Sequence, residues 1–311
     1  MTESCKDTDM LLRYATVRVS ILNIILKYTH THQNTQLAEM TNRFDDMATY
    51  MRKLCSLKTS LTLLERSLLS VAYKNAVGKR RNSLRRLSQD SLQVDPVALK
   101  TYGDIVRNEI VKLCSEAIDI ANDLLSKNKD KDMSAVDKIF LMKMVGDYNR
   151  YMGEFLPKDN PCVAAALKAY SSAMEDAKRL RPSNATRLGL ALNFSVFHLE
   201  VLGNNEIACA LAQDALNRGA DDLEGLGEKE YRNTAMIMEL IGDNIALWTE
   251  RNQEDMNVSS SKKETSSSKG DALSPKMRES RALSASVLVS PQQRRIIPSE
   301  HGSSTPPPLR T

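Results

Sequence analysis

Residues 66–88 read RSLLSVAYKNAVGKRRNSLRRLS, and this stretch joins a clear helical signature to an unusual run of charge. Up to Gly78 it is an amphipathic helix. Leu64, Leu68, Val71 and Ala72 share one stripe at helical spacing, while Lys74 and Arg81 lie two turns apart on another. Arg85 continues that second line one turn further. A solvated helix usually alternates its charges, as in Glu-to-Lys pairs four residues apart. Here Lys79, Arg80, Arg81, Arg85 and Arg86 follow Glu65 with no acid among them. Taken alone, such cations read as solvated or ion-paired surface groups; a line this long asks for an anion from outside the helix.

Outward from this helix the same period persists. LAEMTNRFDDMATYMRKL (37–54) breaks near Asn42, and Asp45 and Asp46 open a second helix where acids suit the dipole. Pro96 starts another, with Tyr102, Ile105, Val106, Ile110, Leu113, Ile118 and Leu124 spaced by threes and fours. After a charged loop, VDKIFLMKMVGDYNRYMGEFLP ends at Pro157, and Pro161 opens a helix up to Leu180. RPSNATR is the next turn. LGLALNFSVFHLEVL (188–202) is apolar on nearly all sides and should be the most buried helix. NNEIACALAQDALNRGA and EKEYRNTAMIMELIGDNIALWTE complete the set. No segment sustains a period of two, so the fold class is all-α, about nine antiparallel helices with short connections.

The two ends differ. VRVSILNIIL (17–26) is the most apolar run, but it is short of the roughly 20 residues a membrane span needs. Acids at Glu3, Asp7 and Asp9 precede it, the wrong sign for a signal peptide. It reads as a short helix packed on the body, with THTHQNTQ (29–36) as linker, so residues 1–36 form an extension. Residues 37–250 are the helical domain. Residues 251–311 are Ser- and Pro-rich without apolar periodicity and read as a disordered tail. The tail holds the whole net charge of +4; residues 1–250 balance.

Composition narrows the function. The five cysteines are scattered, odd in number and without a CxxC pair, which suits reduced thiols in the cytoplasm, with the nucleus as a second location. His30, His32, His198 and His301 have no metal-ligand spacing, and no cofactor motif is present. A hydrolase would need a histidine near a nucleophile, a metal site or a Gly-rich phosphate loop. A nucleic-acid binder would need a broad basic face interleaved with aromatics, which the neutral body lacks. The sequence therefore points to a binding protein, with neither nucleic acid nor membrane as its partner.

Four separated blocks make the resemblance specific: LLSVAYKNAVGKRRNSLRR (68–86), MKMVGDYNRYMGEF (142–155), RLGLALNFSVFHLEVL (187–202) and MIMELIGDNIALWTE (236–250). In this order, over about Leu37 to Glu250, the chain resembles the 14-3-3 protein family. The resemblance implies a dimeric adaptor that binds phosphoserine or phosphothreonine peptides of client proteins in a groove of each protomer, and no enzyme activity. It places the phosphate on Lys74, Arg81, Arg150 and Tyr151, with Arg85 beside them. A phosphate monoester brings roughly −1.5 to −2 charge and three acceptor oxygens, which guanidinium forks, an ammonium and a phenol hydroxyl can match. Asn193 and Asn244 match the asparagines that hold the peptide backbone. Lys143, Asp147, Leu192, Val196, Glu200, Leu240, Leu247 and Trp248 match the rest of the groove. For the four aliphatic residues ordinary core packing is the rival reading, and Glu200 has a purely structural one.

The same resemblance places Leu37, Arg43, Asp46 and Tyr102 at a dimer interface, with either a second copy or another family member as partner. Thr41, Phe44 and Ile105 depart from the usual alanine, tyrosine and lysine there. Ser83 follows Arg80-Arg81-Asn82, an arrangement basophilic kinases accept, and matches an interface serine whose phosphate would favour monomer. Ser88 is a weaker candidate. The tail is basic where family tails are acidic, and Ser284, three residues after Arg281, is a candidate ligand for the groove in cis. A rival reading keeps only a phosphate-independent helical scaffold, suggested by the repeat-like helix pairs near 188–220.

Overall fold

The computed structural model of the chain describes residues 23, 25–88, 94–128, 133–157 and 159–261. Side chains are described up to residue 250. Among the described residues there are nine helices and no strand: α1 (25–40), α2 (Phe44–Ser56), α3 (Leu63–Leu87), α4 (Pro96–Lys127), α5 (Ala135–Gly153), α6 (Pro161–Ala177), α7 (Ala185–Glu200), α8 (Asn205–Ala220) and α9 (Glu228–Ser261). The expected all-α array is the observed one.

Local chemistry starts these helices. Thr62 and Glu65 form a reciprocal capping box at α3. Asp95 and Asn160 cap α4 and α6, each followed by a proline at the first helical position. Ser134, Asn184 and Asn204 cap α5, α7 and α8. The break near Asn42 is real: Asn42 has φ of 55°, the left-handed conformation that asparagine tolerates, and it turns the chain from α1 into α2.

The ends depart from expectation. Thr29 to Gln36 is no linker but part of α1. The threonines there send their hydroxyls back to the preceding turn, Thr31 to the Lys27 carbonyl at 2.7 Å and Thr35 to that of Thr31 at 2.8 Å. The helix is also pinned from outside: the Tyr28 hydroxyl donates to Glu65 at 2.8 Å, and Lys58 pairs with the same buried carboxylate at 2.7 Å. At the other end α9 continues past residue 250 to Ser261. The expectations for residues 1–22 and for the tail from 262 onward, Ser284 included, lie outside the described residues.

The core is divided into three clusters. One is built by α2–α5 with Met47, Leu54, Leu69, Tyr73, Ile110 and Leu124 fully buried. A second joins α5, α6 and α7 around Tyr170 and Phe197. A third joins α7, α8 and α9 around Leu192, Ile241 and Trp248. Helix α7 takes part in two of them, and every residue from Leu188 to His198 is buried, as its apolar character predicted. Helix α5 likewise links the first and second clusters. Polar groups on these shared helices are thereby held between packed walls.

Candidate functional site

Arg81 from α3 and Arg150 from α5 lie 69 residues apart in sequence and converge on one spot. The Arg81 guanidinium grips the Glu154 carboxylate in a two-pronged arrangement, Nε to Oε2 at 2.9 Å and Nη2 to Oε1 at 2.5 Å. Arg150 donates from Nη1 to the same Oε1 at 3.2 Å and to Glu200 Oε2, on α7, at 3.3 Å. Both guanidinium groups stack on the Tyr151 ring, at 4.4 Å and 4.6 Å from its centre. Two planar cations over one phenol ring, joined through one carboxylate, make a ready oxyanion clamp.

Burial separates the two arginines. The Arg150 side chain is only 1% exposed, whereas that of Arg81 is 16% exposed. Burial works against the Arg150 charge, yet Tyr170, Tyr151, Glu154 and Glu200 together hold its pKa above the ordinary arginine value. Arg150 is a fixed cation on a rigid helix, and Arg81 reaches in beside it from the solvent side.

A second network lies one turn back on α5. Asp147, almost fully buried, accepts from the Tyr170 hydroxyl at 2.6 Å, from Asn193 Nδ2 at 2.7 Å and from Lys143 Nζ at 2.5 Å. Tyr170 also accepts from Arg150 Nε at 3.4 Å, so the two networks are one. Gly146 makes this possible. A Cβ there would stand 2.7–2.9 Å from three atoms of the Tyr170 ring, and only glycine lets that ring lie on the α5 backbone.

Lys74, half-buried on α3, lines a small cleft with Ser70, Lys143, Asp147 and Tyr151. Burial, and next the Lys143 ammonium, lower its pKa, while Asp147 opposes them. The site thus gathers four cations (Lys74, Arg81, Lys143, Arg150) around three carboxylates (Asp147, Glu154, Glu200), a net charge of +1 on a mostly buried surface. An entering dianion meets donors already oriented by packing, which is the economical way to bind it.

The remaining site residues from the sequence reading are spread along two helices. Asn193 and Asn244 are buried on α7 and α9. Leu192, Val196 and Trp248 lie in the third core cluster with no more than 1% exposure, while Leu240 and Leu247 are partly buried against it. The buried Trp248 indole N–H has no hydrogen-bond partner. Arg85 is exposed, one turn beyond Arg81. Ser83 is exposed too, its hydroxyl turned to the Lys79 carbonyl at 3.1 Å. Leu37, Arg43 and Tyr102 are exposed on α1, the α1–α2 turn and α4; Asp46 is half-buried and pairs with Arg43.

Two residues of the network were missed from the sequence. Glu154 stands four residues after Arg150, the spacing of an ion pair on one helical face, and that signal was legible. Tyr170 had no local signal, because its partners come from α5 and α7. No group of three or more His, Cys, Asp or Glu side chains is placed to hold a metal ion among the described residues, and no described helix is long and apolar enough to cross a membrane. Of the cysteines, Cys55, Cys114, Cys162 and Cys209 are free, and burial pushes the Cys55 thiol up to about 12.

A family model described as "14-3-3 protein" matches residues 34–249. The 14-3-3 protein homolog of Encephalitozoon cuniculi (strain GB-M1) is 36% identical over 239 residues, 73% of this chain and 93% of that protein. The 14-3-3 protein beta/alpha-A of Xenopus laevis is 38% identical over 229 residues, 71% of this chain and 93% of its own length. Human 14-3-3 protein beta/alpha is 38% identical over 231 residues, 72% of this chain and 93% of its own.

Proposed function

The chain belongs to the 14-3-3 family, and from that premise we propose that it binds phosphoserine or phosphothreonine segments of client proteins, as a dimer with one groove per protomer. Membership makes it an adaptor or regulatory protein acting through protein–protein interaction. The finer reading rests on one observation above all: Arg81 and Arg150 converge beside the Tyr151 ring on a single oxyanion, the Glu154 carboxylate. Phosphate offers twice the charge of that carboxylate and a third oxygen. It would take up the outer face of the clamp, with Lys74 and the Tyr151 hydroxyl completing its shell and Arg85 adding charge at the rim.

Register comes from the other wall. An extended ligand brings unpaired N–H and C=O groups, and amides that both donate and accept suit them. Asn193, held by Asp147, and the buried Asn244 on α9 are the two amides this reading assigns to them. Leu240 and Leu247 are the accessible apolar surface; Leu192, Val196 and Trp248 support it from beneath. Such a site needs no cofactor and performs no chemistry. The activity is expected in the cytoplasm or nucleus, where phosphorylated clients are made.

Fluorescence titration with one peptide in phosphorylated and unphosphorylated form tests the proposal. The phosphorylated form should bind at least about 100-fold tighter, since each charge-assisted hydrogen bond contributes about 1.5–3 kcal/mol. Lys74→Glu should abolish the difference. Equal binding of the two peptides would instead leave the phosphate-independent scaffold. Phosphate on the exposed Ser83 is proposed to favour monomer, and a Ser83→Glu variant that sediments wholly as dimer would count against it.

A further inference from the structure

Ser83 and Ser88 each follow a pair of arginines three and two positions earlier, Arg80-Arg81 and Arg85-Arg86. In the fold the two pairs are not equivalent. Arg80 binds Asp45 and Glu109, each at 2.7 Å, and Arg81 holds Glu154. A kinase that reads those arginines with its own carboxylates must first break these ion pairs. Arg85 and Arg86 are exposed in the last turn of α3, and among the described residues no carboxylate pairs with either.

Position within the helix points the same way. Ser83 stands a full turn inside α3, whereas the exposed Ser88 caps its C-terminus and donates its hydroxyl to the Leu84 carbonyl at 3.0 Å. A kinase has to unwind the residues around the serine it modifies, and helix ends open more readily than interiors. The sequence ranks Ser83 first; the fold reverses the order. Ser88 also falls on the face of the clamp. Lys74, Arg81 and Ser88 succeed one another at intervals of seven, which returns to nearly the same side of a helix about 10 Å further on. Arg85 lies between, one turn before Ser88.

We propose that Ser88 is a phosphorylation site for a basophilic protein kinase, and that its phosphate opposes the binding of a phosphorylated client. The kinase transfers the γ-phosphoryl group of ATP. The bond from the γ-phosphorus to its bridging oxygen breaks, a bond from that phosphorus to Ser88 Oγ forms, ADP leaves, and the hydroxyl proton passes through the kinase to solvent. The product carries roughly −1.5 to −2 charge, enough to outweigh the net +1 of the neighbouring site. It engages Arg85 and repels the client's own phosphate across about one Debye length. This regulatory half rests on the phosphopeptide reading above; the site itself does not.

The full chain, incubated with ATP and the catalytic subunit of cyclic-AMP-dependent protein kinase and mapped by mass spectrometry, tests the site. Ser88 should be filled at least about tenfold faster than Ser83, and Ser83→Ala should leave the Ser88 rate unchanged. Equal rates, a faster Ser83 or an unmodified Ser88 would each overturn the assignment. Titration with a singly phosphorylated peptide reads the consequence. In the Ser83→Ala background, the Ser88-phosphorylated chain should bind at least about threefold more weakly than the unmodified chain in low salt, and the gap should close in about 1 M salt. Ser88→Asn should bind as the unmodified chain does. Equal affinities in low salt, or a gap that persists at high salt, overturn the regulation. If the unmodified chain itself ignores the phosphate of the peptide, the groove reading fails and the regulation with it, while the kinase result still decides the site.

Discussion

Arg81 and Arg150 hold the same carboxylate, but their removal will not have the same consequence. Arg150 is buried and bonds Glu154, Glu200 and Tyr170 at once, so Arg150→Ala removes the buried hub of the network, although Arg81 still holds Glu154. The expected cost is about 3–5 kcal/mol of stability, together with loss of phosphopeptide binding. The Arg81 side chain reaches the clamp from the solvent side, and Arg81→Ala should cost about 1 kcal/mol or less while weakening the phosphopeptide on the order of 100-fold. Urea unfolding beside peptide titration separates the two, and equal destabilisation would refute the division. Gly146→Ala poses a conflict of signs. Alanine gains about 1 kcal/mol in helix propensity, but its Cβ would strike three Tyr170 ring atoms at once. That ring has Phe194 and Phe197 centred 5.4 Å and 5.6 Å away and cannot step aside. Overpacking of about 1–3 kcal/mol should win, lowering the urea midpoint and loosening the Tyr170–Asp147–Asn193 chain.

At the scale of elements, one loop carboxylate ties the α6–α7 turn to the loop between α8 and α9. Asp222, after α8, accepts from Arg181 Nη2 at 2.9 Å and from the Ser183 hydroxyl at 2.7 Å, both in the α6–α7 turn; Thr234 of α9 then donates to the Ser183 carbonyl at 2.8 Å. Arg181 first, then the Ser183 amide and hydroxyl, hold the Asp222 carboxyl well below the usual range. The folded pKa is depressed, so this contribution is fully present above the unfolded value, about 3.9, and fades as pH falls below it. Wild type should therefore lose more stability than Asp222→Asn between about pH 5 and pH 2; parallel curves in acid urea denaturation would deny the tether. Such a contact spans 41 residues, and no reading of a single stretch finds it. What the sequence showed plainly was local: the helix starts at Pro96 and Pro161, the break near Asn42, and the nearly all-apolar α7. What it concealed was tertiary. Thr29 to Gln36 looked like linker because its composition is polar, and only the distant Glu65 shows why it stays helical. Lys74, Arg81, Arg150 and Asn193 were named through a family pattern, since their convergence on Glu154 and Asp147 joins three helices that periodicity treats separately.

For the whole molecule the question is what the proposed pair of grooves would achieve that one does not. The protomer is a rigid support: α5 and α7 each belong to two core clusters, so the clamp and the asparagine wall are fixed relative to one another within a protomer. A two-fold seam would hold a second clamp at a fixed distance from the first. A client with one phosphosite gains nothing from this. A client with two, joined by a segment long enough to span the grooves, binds its second site intramolecularly and should gain on the order of 10²–10⁴ in apparent affinity. The gain should vanish when the joining segment is too short to reach, then decline slowly as it is lengthened beyond the span. It should vanish as well in Ile105→Lys, if that substitution opens the seam, while affinity for a singly phosphorylated peptide stays unchanged because Ile105 lies on the face away from the α4 core stripe. Titrating singly and doubly phosphorylated peptides against both proteins gives four affinities, and the argument requires that only one of them stand out. If the doubly phosphorylated peptide kept its advantage over a monomeric protein, the second phosphate would be finding its cations on the same protomer, and the exposed Arg85 beside the clamp would be the place to look.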